Sequence, residues 1–126
     1  MKDIAEKLRK TEKALSEMKG PFDLFALFLR EDAPAVWDLL VAGRWIEEDK
    51  AKALRSISKR VQKDLSADEL TKISRIVIID QGNPALNAFT SALGVHHGLA
   101  DLKNSNFFGL SIKEAFVITS QKRKAA

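Results

Sequence analysis

The chain has 126 residues, 45% hydrophobic and 30% charged, with a formal net charge of +4 and a pI near 9.4. That composition suits one folded domain with its own core and argues against disorder. The absence of cysteine removes disulfides, thiolate metal sites and cysteine nucleophiles together, and no apolar run approaches the ~20 residues that span a bilayer. Met1 to Lys7 interleaves charged and apolar residues and holds no signal-peptide core, so the expectation is a soluble, cytoplasmic protein with no membrane partner.

Residues 2 to 19 are predicted to form an amphipathic helix. Ile4, Leu8, Thr11, Leu15 and Met18 recur at spacings of four and three, so they share one stripe. Gly20-Pro21 ends the helix, because Pro cannot continue it and Gly suits a C-terminal cap. The stripe is narrow enough to serve either of two purposes: packing on the chain's own sheet, or pairing with a second copy.

A β-hairpin is predicted next, over about 24–30 and 36–42. Leu24 to Leu29 is an apolar run of strand length, Arg30 to Pro34 breaks pairing, and Val36 to Val41 resumes it. Asp38 and Arg44 lie six apart, so on one strand they would share a face and could pair with Arg30 or Glu31. Trp37, Leu39, Val41 and Trp45 would then face the core. Both faces of the first strand read as apolar, which leaves its orientation open.

Glu47-Glu48-Asp49 supplies a first helical turn, with Leu54, Ile57 and Val61 as the inward stripe and basic residues towards the other end. Ser66-Ala67-Asp68-Glu69 matches a capping box and predicts a short helix to about Lys72. Ile76-Val77-Ile78-Ile79 is unbroken and β-branched, as in a strand over 75–79 covered on both faces. The intervening helices make a crossover that brings this strand parallel to the second, with right-handed connection expected. Asn83 and Pro84 open a helix from Ala85 to Leu93, and Gly94 closes it.

Val95 to Gly109 reads as irregular chain, with His96-His97-Gly98 and Asn104-Ser105-Asn106 inside it. Ser111 to Glu114 resembles another capping box and Phe116 to Thr119 a strand, so a helical turn leading into a short last strand is expected. Residues 121–126 are polar and basic and should fray. The expected fold is one α/β domain over residues 1–126, with α+β as the neighbouring class. Its small mixed sheet would have three or four strands: the hairpin, the buried strand and a short final one, flanked by helices.

The clearest electrostatic feature is a basic ridge. Lys52, Arg55, Lys59 and Lys63 project in one sector of a helix, and Lys50 to Lys63 contains no acidic residue. Such a ridge could dock phosphates or an acidic protein, although a solvated helix face explains the same charges. No aromatic residue interleaves with it to stack on bases. A second candidate is the ligand loop Asp80-Gln81-Gly82-Asn83, at the carboxyl end of a strand and the start of a helix, where α/β sheets bind ligands. The plainer role of Asn83 is to satisfy the helix amides itself.

A Mg²⁺-dependent nuclease or phosphotransfer site would need Asp38 and Asp80 to converge, with Glu31 or Asp32 nearby. Parallel strands would instead put the two at opposite edges of the sheet. His96-His97 lacks enough neighbouring ligands for a metal and has no visible nucleophile to activate. No nucleophile elbow, P-loop or dinucleotide fingerprint occurs. No catalytic residue, metal or cofactor is therefore assigned. The sequence points to a non-enzymatic binding or assembly module, with a homodimer, nucleic acid or an acidic protein as candidate partners.

Overall fold

The computed structural model describes residues 1–122 and is a mixed α/β fold with five helices and one five-stranded sheet. In chain order the elements are α1 (Lys2–Lys19), β1 (Leu24–Arg30), β2 (Trp37–Ala42), α2 (Arg44–Glu48), α3 (Lys50–Asp64), α4 (Ala67–Leu70), β3 (Ile73–Ile78), α5 (Pro84–Ala92), β4 (Ala100–Phe107) and β5 (Leu110–Ser120). The strand order is β3-β2-β1-β5-β4. β2 and β3 are parallel, as the helical crossover requires, and all other neighbours are antiparallel.

β1 is the central strand, which explains why both of its faces are apolar. Phe25, Leu27 and Leu29 point into a core shared with Ile4, Leu8 and Leu15 of α1 and Ala53, Ile57 and Val61 of α3. Leu24, Ala26 and Phe28 point the other way, onto Leu86 and Phe89 of α5. Four phenylalanines close that second core: the ring of Phe89 lies 4.7 Å from Phe107, 5.7 Å from Phe108 and 6.0 Å from Phe28. Burying a ring of this size contributes about 1.5–3 kcal/mol.

Several local signals act as expected. The stripe of α1 is buried within the chain as far as Leu15, while Met18 is 62% exposed. Gly20 turns the chain at φ 137°, where a Cβ would meet the Trp45 ring at 3.1 Å. Ser66 and Glu69 form the reciprocal capping box, and the Asn83 side chain accepts from Ala85 N–H at 2.9 Å with Pro84 in the first turn.

Other expectations are corrected. Arg44 and Trp45 do not continue β2; they form α2, which ends where the Asp49 side chain turns to cap α3 by accepting from Lys52 N–H. The inward stripe of α3 is Ala53, Ile57 and Val61, spaced four apart, and Leu54 falls beside that stripe and is left 38% exposed. β3 is covered on both faces but only in part: Ile73, Ile76 and Ile78 pack on the first core and Val77, with Ile79 just after the strand, on the second, none of them fully buried. It lies at the sheet edge, and its residues are half-buried at best.

The expected irregular segment 95–109 contains β4, and no helical turn forms at 111–114, where β5 runs as a continuous strand. Phe108 and Gly109, both at positive φ (55° and 71°), make the two-residue connection between Phe107 and Leu110. At the carboxyl end, Gln121 is tied down rather than frayed, donating to Asp23 O through its backbone (2.9 Å) and to Phe22 O through its side chain (2.7 Å). The rest of the predicted frayed end, residues 123–126, lies outside the described residues.

Candidate functional site

The helix α3 presents Lys52, Arg55, Lys59 and Lys63 on its solvent side, all exposed. No ion pair among the described residues takes up any of the four. The tertiary structure adds a wall beside the Lys59 and Lys63 end of this ridge, while Lys52 and Arg55 stand outside the groove. α1 lies beside α3, and Leu15, Met18 and Lys19 face Ser56, Lys59, Arg60 and Lys63 across an open groove of about 470 Å³. Its floor is apolar and its rim carries four cations.

The groove is held in shape by Asp64. This carboxylate accepts from Thr11 Oγ1 of α1 at 2.6 Å and from Arg60 Nε at 3.1 Å, so it ties the two helices together. Partial burial works against its charge, but the Thr11 hydrogen bond and the Arg60 guanidinium outweigh that and hold Asp64 below its ordinary value. Arg60 lines the groove with its guanidinium held by Asp64.

The ligand loop does not act as a unit. Asp80 is exposed and paired with Lys50, whose ammonium is raised above its ordinary range chiefly by that hydrogen bond. Gln81 turns inward and donates to Asp23 Oδ2 at 2.7 Å, while Asn83 is spent on the helix cap. Only Gln81 lines a recess, about 340 Å³ at the carboxyl ends of β2, β3 and β5, alongside Asp23, Arg44 and His96.

Asp38 and Asp80 are not brought together. Asp38 is buried and held by Arg30 (3.3 Å) and Arg75 (3.3 Å). Its partner in the β2–β3 register is Arg75, five residues before Asp80, which is roughly 15 Å of extended chain. Glu31 and Asp32 lie beyond the opposite end of β2 from Asp80. Among the described residues no three His, Asp or Glu side chains are grouped to hold a metal ion.

The structure assembles one cluster that the sequence did not reveal. Glu12 of α1 is fully buried, with one carboxylate oxygen against His97 Nδ1 and the other accepting from Thr119 Oγ1 at 2.9 Å. His97 sits at φ 51°, held by its N–H to Thr119 Oγ1 (3.2 Å) and by Arg9 Nε donating to its carbonyl (2.6 Å). The cluster ties α1, the 95–99 segment and β5 together. Its only sequence trace is that Glu12 stands four residues after Leu8 and three before Leu15, a core position for a charged residue.

No family model, curated protein or solved structure matches this chain.

Proposed function

We propose that the protein is a non-enzymatic binding module whose α1–α3 groove docks an acidic segment of a partner protein. The observation that supports this reading is the combination of an exposed methionine with cations on both walls of one groove. Met18 is unbranched and polarizable, so it accommodates varied apolar side chains, while Lys19, Lys59 and Lys63 meet flanking carboxylates. Nucleic acid is the less suited anion. The groove offers no aromatic ring for bases to stack on, and its apolar floor would be wasted on phosphates. A metal-dependent nuclease has little support, given the separation of Asp38 and Asp80.

The test is fluorescence anisotropy with labelled acidic peptides carrying one Leu or Phe, against single-stranded and duplex DNA. Binding of the peptide should fall with salt, and Lys59→Glu with Lys63→Glu should abolish it. The fold should survive, since exposed helix charges contribute about 0–1 kcal/mol each. Met18→Ser should weaken the peptide and leave any DNA binding unchanged. If DNA binds more tightly, with a log–log salt slope of about −0.9 per duplex phosphate contacted, the acidic-protein reading fails.

A further inference from the structure

Glu12 is a charged residue on the buried stripe of α1, between Leu8 and Leu15, with no exposed surface. An apolar side chain at that position would need no partner, whereas a buried carboxylate needs its oxygens served. What this carboxylate accomplishes is to fix one imidazole. One oxygen meets His97 Nδ1, and the other accepts from Thr119 Oγ1, which in turn accepts from His97 N–H. The ring and the backbone of His97 are therefore held by the same pair of side chains, and the ring has one orientation.

The other ring nitrogen stays open. His97 Nε2 takes no hydrogen bond among the described residues, and the sole buried side-chain nitrogen or oxygen left unpartnered among them is Trp45 Nε1, so Nε2 reaches solvent. His97 lines a recess of about 330 Å³ whose remaining wall is Glu6, Arg9, Lys10 and Lys13 of α1. Arg9 is anchored to the same residue, its Nε donating to His97 O at 2.6 Å, so guanidinium and imidazole are fixed relative to each other. Arg9 Nη1 makes a 3.6 Å pair with Glu6, both side chains being about half exposed, which is a weak and displaceable contact. Lys10 and Lys13 are exposed and enter no ion pair among the described residues. Three cations and one carboxylate thus surround an open imidazole nitrogen.

We propose that this recess binds a phosphate group, free or carried on a small monoester, with His97 Nε2 and the Arg9 guanidinium on its oxygens and Lys10 and Lys13 balancing its charge. Charge alone would admit any anion, and the imidazole narrows the choice. A phosphate offers P–O⁻ acceptors and, when singly protonated, a P–OH donor, so Nε2 finds a partner whether it donates or accepts. A carboxylate offers acceptors only. The donors also come from two elements, the imidazole from the 95–99 segment and the cations from α1, which suits a tetrahedral anion better than a planar one. The recess shares no residue with the α1–α3 groove.

Long-range proton–nitrogen spectra of the histidine rings test this. The chain has two histidines, so His96→Gln assigns the His97 signals. Titration with inorganic phosphate at constant ionic strength should move the His97 Nε2 signal to saturation, with a dissociation constant at or below about 1 mM, and acetate should not. Lys13→Glu, at an exposed position, should weaken binding about tenfold with the far-UV spectrum unchanged. Arg9→Lys keeps the charge but loses the planar fork, and should weaken it as well. Tighter binding of phenyl phosphate than of inorganic phosphate supports a monoester as the ligand, and the reverse supports free phosphate. An unsaturated drift of the His97 signal, an equal response to acetate, or binding indifferent to Lys13→Glu overturns the proposal. Lys59→Glu with Lys63→Glu should leave phosphate binding unchanged, so this result stands or falls apart from the groove reading.

Discussion

Replacing His97 by Ala is expected to destabilise the protein by about 3 kcal/mol. Glu12 has no exposed surface, and its two carboxylate oxygens are served by His97 Nδ1 and Thr119 Oγ1. Taking one partner from a buried charge costs about 3–5 kcal/mol. The His97 side chain is itself 26% exposed, so water can enter part of the space it leaves, which favours the lower end. In urea, with a slope of about 2 kcal/mol/M, the unfolding midpoint should drop by about 1.5 M. Trp37 and Trp45 provide a fluorescence signal, and far-UV circular dichroism provides an independent one. Thr119→Val removes the other partner and should cost about 1–3 kcal/mol. Because both side chains act on the same carboxylate, the double variant should depart from the sum of the two. Glu12→Leu should cost less than His97→Ala, since it removes the charge along with its need for partners. A loss under about 0.5 kcal/mol for His97→Ala, the size of an ordinary surface change, would refute the reasoning. An equal or larger loss for Glu12→Leu would show that packing, rather than the buried charge, sets the cost.

Phe89→Ala should cost about 3–5 kcal/mol in the same assay, because its ring is the hub of the aromatic cluster under α5. Asp64 is held below its ordinary 3.8 in the folded state, so its contribution is present above that value and lost as pH falls through the folded one. Asp64→Asn should therefore flatten the acid limb of a stability–pH profile and cost stability at neutral pH. Glu114 is raised above 4.5 by burial and by Asp101 beside it, so its ionisation opposes folding as pH rises through the folded value. Glu114→Gln should be stabilising at pH 7, and the gain should vanish in acid.

The sequence alone determined those parts of the molecule that are settled within a few residues. The α1 stripe with its Gly20-Pro21 stop, the Ser66–Glu69 box, the Asn83-Pro84 helix start and the β1–β2 hairpin all rest on local sterics and short-range hydrogen bonds. The parallel β2–β3 pair was also legible, because a helical crossover leaves no other easy return. The basic ridge was legible as a face of one helix, since residue spacing alone fixes which side chains share a sector.

What the tertiary structure decided depends on partners distant along the chain. Whether Ile76 to Ile79 lies in the centre or on the edge is a matter of which strands flank it, and β5, from the far end of the chain, takes the place beside β1. β4 escaped notice because its turn is Phe108-Gly109 rather than an Asn-Gly or Asp-Gly pair. A phenylalanine at positive φ is tolerated there through packing on Phe28 and Phe89. The second wall of the groove comes from α1 only once both helices lie on one face of the sheet. Glu12 meets His97 for a similar reason: neither residue selects the other locally, and the sheet that carries Thr119 brings them together.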